Sequence, residues 1–365
     1  MSYHEKSGTE LLAPLNVDPD RPSRVDIAAA MTTGRRKRRL GLAAAGAAVV
    51  ALAGGTAVGG TLAFDGPGPD PAPERLPACV ATPLPMGGYK TIQVTGSDPT
   101  GRYVAGRANP VADMRSTVVV WHDNRIARIV KKDRLELTDF TTKGVGVGYE
   151  VDGTRAYVYT DGTLTPLKGD RLTADAINEA GVIVGTSAGR PVRWASATAD
   201  PEPLPLPAGT AQGVVSGLAE DGTIVGRVDL DIGYLWLPDG THRPIAAPEI
   251  DGVPARGFVP VELRNGWIYG DAMVPVDTGG IEATAMRPFR YQLATGRYER
   301  LAKQDGTPSF YLGSRLVPLP GDPSVSGRTS YAVTAVSDDN RALAGDSNAS
   351  SGGAFLPVSW RCEEE

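Results

Sequence analysis

The stretch Ala176-Ile-Asn-Glu-Ala-Gly-Val-Ile-Val-Gly185 decides the fold. It reads as a polar turn, a short β-branched run and a closing glycine. Val and Ile are stiff at χ1 and fit a pleated surface, so the run predicts a strand. The same pattern recurs at 101–106, 144–148, 222–226, 266–270 and 340–345, with Gly or Asn in each turn. The closing glycines Gly106, Gly148, Gly185, Gly226, Gly270 and Gly345 are 42, 37, 41, 44 and 75 residues apart. The first four spacings lie near the 40–45 residues of a four-stranded propeller blade. The last gap requires an insertion within 304–329 or a degenerate extra blade.

A second strand with an aromatic follows each pattern. It carries Trp121, Tyr157 and Tyr159, Trp194, Tyr234 and Trp236, Phe289 and Tyr291, and Trp360 in turn. Asp-Gly-Thr occurs at 152, 161, 221, 239 and 305. Asp and Gly tolerate the positive φ of tight hairpin turns, which accounts for these triplets without a sugar or an ion. The chain has 45 Gly and 30 Pro among 365 residues, which suits many short strands better than long helices.

At the units 175–194 and 218–240 the sequence resembles the bacterial extracellular repeats known as HAF repeats, and more loosely so over most of 98–362. The resemblance implies blade-like units and no particular reaction. Such a unit cannot bury both faces alone, so units must stack around a ring. The expectation is an all-β fold over 78–365, a six-bladed β-propeller, with seven blades left open. A ring needs closing, and the two cysteines, Cys79 and Cys362, lie at the two ends of this region. The expectation is that the segment around Cys79 pairs in the last blade and that a disulfide clasps the seam.

Before the repeats, residues 40–64 carry no charge and contain nine Ala and six Gly. A helix of that length spans about 37 Å, enough for a hydrocarbon core of about 30 Å. The basic run Arg35-Arg-Lys-Arg-Arg39 precedes it. A basic run beside an apolar span fits the positive-inside rule. The reading is a cytoplasmic tail (1–39), a transmembrane signal-anchor (40–64), a Pro/Gly linker (65–77) and an extracellular domain (78–365) at a bacterial cell membrane. Cleavage of the apolar stretch as a secretory signal is the competing reading. The tail is net +3 and the remainder net −8. An acidic domain argues against nucleic acid as a partner.

Chemistry is sparse. His4, His122 and His242 do not cluster, so no metal site is expected. Gly185-Thr-Ser187-Ala-Gly189 matches a nucleophile elbow, yet Pro191 and another strand follow where the elbow needs a helix. Asp229 and Asp231 lack the remaining ligands of a calcium loop. No cofactor and no catalytic residue is expected. The residue after each closing glycine occupies the same place in each unit. These residues are Arg107, Tyr149, Thr186, Arg227, Asp271 and Asp346, and their mixed charge makes them the candidate ligand-binding ring. The functional expectation is a non-catalytic binding or protein-interaction module at the cell envelope, taking a protein, a wall glycan or a small ligand. The rivals are a propeller enzyme of hydrolase, lyase or glycosidase type, and a sensor signalling through the tail.

Overall fold

The computed structural model describes residues 78–109, 117–229, 232–277, 282–303, 309–312, 315–321, 328–349 and 354–363. The tail, the apolar stretch and the linker lie outside the described residues. Everything described belongs to the second of two units into which the chain divides, Pro73–Glu365. Among the described residues there is no helix long and apolar enough to cross a membrane.

The described chain is all-β. It forms six antiparallel four-stranded units. The first comprises Ile92–Ser97, Tyr103–Ala108, Thr117–His122 and Arg125–Lys131, and the second Leu135–Phe140, Val145–Glu150, Ala156–Thr160 and Thr163–Pro166. The third comprises Leu172–Ile177, Ile183–Ser187, Arg190–Trp194 and Glu202–Pro203, and the fourth Gly213–Leu218, Ile224–Val228, Ile232–Trp236 and His242–Pro244. The fifth has longer central strands, Phe258–Arg264, Trp267–Asp277, Glu282–Gln292 and Tyr298–Arg300. The sixth takes Arg328–Val336, Ala342–Ala349 and Phe355–Glu363 from the chain's end and Ala78–Pro83 from the start of the domain.

That last pairing places Cys79 opposite Cys362, and the two form a disulfide. The clasp expected from the sequence is therefore present. Two small hairpins interrupt the repeat. One is Glu249–Ile250 with Val253–Pro254, and the other is Ser309–Leu312 with Arg315–Pro318. The second falls within the long gap where the spacing demanded an insertion.

The closing glycines have a common steric cause. Each inner strand carries a bulge, at Thr95, Thr138, Asp175, Ser216, Val261 and Thr334. Each closing glycine pairs with the residue just before the bulge. A Cβ at Gly148 would collide with the carbonyl oxygen of Glu136, and one at Gly185 with that of Thr173. The bulged strand leans into its neighbour there, and only glycine leaves room. The Asp-Gly-Thr triplets also have a local cause. The carboxylates of Asp152, Asp221 and Asp239 each accept the N–H of the threonine two residues on. Their glycines take φ of 68°, 90° and 83°.

The core lies between units rather than within one. Val147, Val158, Leu172, Ile183 and Trp194 join the second unit to the third. Leu84, Val94, Val104, Trp121 and Ala344 join the sixth to the first. Four indoles bind the chain that enters their own unit. Trp121, Trp194, Trp236 and Trp360 donate to the carbonyls of Pro85, Lys168, Pro205 and Pro320 at 2.9, 3.0, 2.7 and 2.9 Å. Inner strands are tied in sequence. Ser97 pairs with Asp139 across the first and second units. Thr95 Oγ1 donates to Leu137 O, Thr138 Oγ1 to Ala174 O and Ser216 Oγ to Pro260 O. The Val94 N–H donates to Asp346 Oδ1 at 2.9 Å, which ties the first unit back to the sixth. This cyclic contact order is propeller-like.

Candidate functional site: the central cavity

The inner strands of all six units surround a cavity of about 410 Å³. The bulge residues Thr95, Thr138, Asp175, Ser216, Val261 and Thr334 line it at one level. The bulge turns a residue away from the strand's regular alternation, which is how a buried strand presents a side chain to the axis. Deeper in the turns the wall includes Asp98, Glu220, Glu262, Arg264 and Asp338. The lining is thus acidic with one cation.

Several of these groups already have structural work. Asp98 accepts from the N–H groups of Thr100 and Tyr103 and closes its own turn. Asp139 accepts from Phe140 N at 2.9 Å and from Ile177 N at 2.8 Å, the second bond crossing from the second unit to the third. Burial nonetheless raises its carboxyl to about 7, against the pull of those two N–H groups. Burial also raises Asp175 to about 7, with Thr173 Oγ1 donating to it at 2.8 Å in opposition. Glu262 is raised by burial and lowered in part by Arg264. Asp338 follows the same pattern, with Asp339 adding repulsion. All four of these raised carboxyls, Asp139, Asp175, Glu262 and Asp338, line the cavity.

The ring named from the sequence lies elsewhere. Arg107, Tyr149, Thr186, Arg227, Asp271 and Asp346 do share one register level, each pairing with the inner-strand residue two before the bulge. None of them lines the central cavity. Arg107 Nη1 is 3.5 Å from Glu136 Oε2 between the first and second units. Tyr149 shares that neighbourhood, and its hydroxyl is raised by burial and by Glu136. Asp346 is buried, holds the Val94 N–H, and is raised by burial to about 7. Burial also raises Asp271. The structure therefore brings Arg107 and Tyr149 together around Glu136 and puts Asp346 at the seam between the sixth and first units.

The histidines have ordinary partners. His122 stacks on Tyr103 with ring centroids 4.2 Å apart, and His242 Nδ1 lies 2.6 Å from the Tyr234 hydroxyl. Ser187 Oγ donates to Asp170 O, and no base is placed against it by any described contact. Among the described residues no three His, Cys, Asp or Glu side chains converge as metal ligands. The cavity residues did carry a sequence signal. They stand nine to eleven positions before each closing glycine. Their types vary too much to be recognised without the bulge.

No family model matches the sequence. No curated protein matches it either. Solved structures similar in shape include the β-propeller domain of Cps50 (Swd1) from Myceliophteria thermophila. It is 10% identical with a TM-score of 0.42, covering 75% of this chain and 97% of that one. A member of the DUF4221 family from Bacteroides vulgatus is 9% identical with a TM-score of 0.41, covering 78% and 96%. The GH74 xyloglucanase from Xanthomonas campestris is 13% identical with a TM-score of 0.37, covering 79% of this chain and 47% of that one. At these scores the architecture rests on the strand register and the cyclic contacts, and function rests on the cavity.

Proposed function

We propose that this chain is an extracytoplasmic, non-catalytic binding module whose ligand enters the central cavity of a closed six-bladed β-propeller. Residues 40–64 anchor it in the membrane with the N-terminus inside, and 65–77 form the stalk. The observation that carries the reading is one cavity of about 410 Å³ to which all six inner strands contribute polar groups. That volume lies within the range of small-molecule and peptide-end sites. The net charge of −8 after residue 39 favours a partner with a positive group. The Arg107, Tyr149, Arg227, Asp271 and Asp346 level is a secondary contact surface under this proposal.

The test is photo-crosslinking on intact cells from position 261, where Val261 is 63% exposed on the cavity wall. Capture of one dominant envelope component there, and not from exposed Val151 in the second unit, is the expected result. Crosslinking that is the same from both positions removes the cavity as the site. Protease added to intact cells should digest the domain, and protection of the domain would remove the orientation.

One observation favours the enzyme reading. A carboxyl raised to about 7 by burial, as at Asp175, has the protonation balance of a general acid at neutral pH. Turnover of a glycan or ester panel that Asp175→Asn abolishes, with ligand binding intact, would establish that reading instead.

A further inference from the structure

Taking the central cavity as the binding site, its wall between the fifth and sixth units narrows the class of ligand. Arg264 lines the cavity and is only 4% exposed. Its Nη2 donates to Tyr311 O at 3.2 Å, its Nε is 3.7 Å from Glu262 Oε1, and its guanidinium carbon lies 4.7 Å from the Tyr269 ring centroid. Nη1 is buried with no hydrogen-bond partner among the described residues. Buried donors are rarely left unpaired, and an orphan beside a cavity points to a missing acceptor. The corresponding turn positions in other units hold Asp98, Thr141, Asn178, Ala219 and Ser337, none of them cationic.

Two carboxylates accompany this guanidinium on the wall, Glu262 and Asp338. Both feel the charge of Arg264. With both ionised the group is net −1, one positive charge short of balance. Asp175 and Glu220 on other walls add negative potential. We propose that this wall holds an α-ammonium group together with the neighbouring carbonyl or carboxylate oxygen of the same molecule. The ammonium sits against Glu262 and Asp338, and the oxygen accepts from the Arg264 guanidinium once it turns Nη1 toward the cavity. A bare cation would leave Nη1 orphaned, and a bare anion would face uncompensated carboxylates. The chemistry is that of a free amino acid or of a peptide N-terminus.

The experiment is calorimetric titration of the full chain in detergent micelles with four probes: alanine, Ala-Ala-Ala, N-acetyl-Ala-Ala-Ala and ethylamine. The unblocked compounds should bind, and the acetylated peptide and ethylamine should bind at least tenfold more weakly. Tighter binding of alanine than of the tripeptide identifies a free amino acid, and the reverse order identifies a peptide end. Asp338→Asn keeps the shape of the side chain and removes its charge, so it should weaken both unblocked ligands at least fivefold. Equal affinity for ethylamine, retention of the acetylated peptide, or unchanged affinity in Asp338→Asn overturns the proposal. Failure of all four probes also overturns it, whereas crosslinking from position 261 decides separately whether the cavity binds anything.

Discussion

The seam between the second and third units and the seam between the fifth and sixth are built on different principles. The first is mainly apolar and follows from the repeat, with ten buried hydrophobic residues from both sides, Trp194 among them, and the Thr138–Ala174 and Ile177–Asp139 hydrogen bonds beside them. At the second, the fifth unit contributes nothing to the sixth unit's cluster. The inserted hairpin supplies Phe310, Val317 and Leu319 instead. Arg264 reaches across to Tyr311 O, and Asn265 Nδ2 donates to Asp338 O. Where the repeat is regular, packing closes the seam. Where it is interrupted, polar groups do so, and one of the two buried unpaired donors among the described residues, Arg264 Nη1, lies there, while the other, Arg107 Nε, lies between the first and second units.

The contrast breaks first if large truncation costs the same at both seams. Trp194→Ala should destabilise by about 3–5 kcal/mol, read by urea unfolding. A value near 1 kcal/mol would mean that the regular seam is not held by its apolar cluster. The clasp between chain ends is next. Reduction, or Cys79→Ser with Cys362→Ser, should cost about 2–5 kcal/mol, because the bond closes a loop across 283 residues of sequence separation. An unchanged unfolding midpoint under reductant would show that strand pairing alone suffices.

A third test uses protons. Asp139 is raised in the folded state to about 7 from 3.8, so the folded protein keeps a proton that the unfolded chain gives up. Its contribution is fully present below pH ~4 and is lost as pH rises to ~7, by on the order of 4 kcal/mol. Asp139→Asn should flatten stability between those limits. The variant also loses one carboxylate acceptor for the N–H of Phe140 or Ile177, at about 1 kcal/mol. A slope unchanged in the variant would assign the dependence to another group, with Asp175 the next to replace. The smallest effect belongs to the irregular seam. Arg264→Met should change stability by less than about 1.5 kcal/mol, because Glu262 and Asp338 lie on the cavity wall where water can solvate them once the guanidinium is gone. A loss comparable to Trp194→Ala would erase the distinction between the seams.

The regular parts of the molecule could be read in the sequence because sterics fix them one residue at a time. A Cβ does not fit at Gly148 or Gly185, so glycine stands there and marks the strand. Trp121 and Trp360 stand where an indole reaches the incoming chain, and Cys79 and Cys362 fall where two ends must meet. The cavity was not legible for the opposite reason. Thr95, Thr138, Asp175, Ser216 and Val261 occupy one structural place whose only requirement is to point at the axis. The bulge also shifts the alternation on which a strand reading depends. Arg107 and Tyr149 share one register level, each in the place after a closing glycine. The direction of the Arg107, Tyr149 and Asp346 side chains, toward neighbouring units rather than the central cavity, depends on a pleat that the bulge resets.

The sixth unit, with its strands drawn from both ends of the domain, has a consequence in time. Ala78–Pro83 emerges first from the ribosome, and its partner Phe355–Glu363 emerges last. At about 5–20 residues per second the wait is roughly 15–50 s. Throughout that interval an early strand has no neighbour while five later units are being made. The sixth unit, and with it the disulfide that joins the two strands, therefore forms only after the last residues arrive.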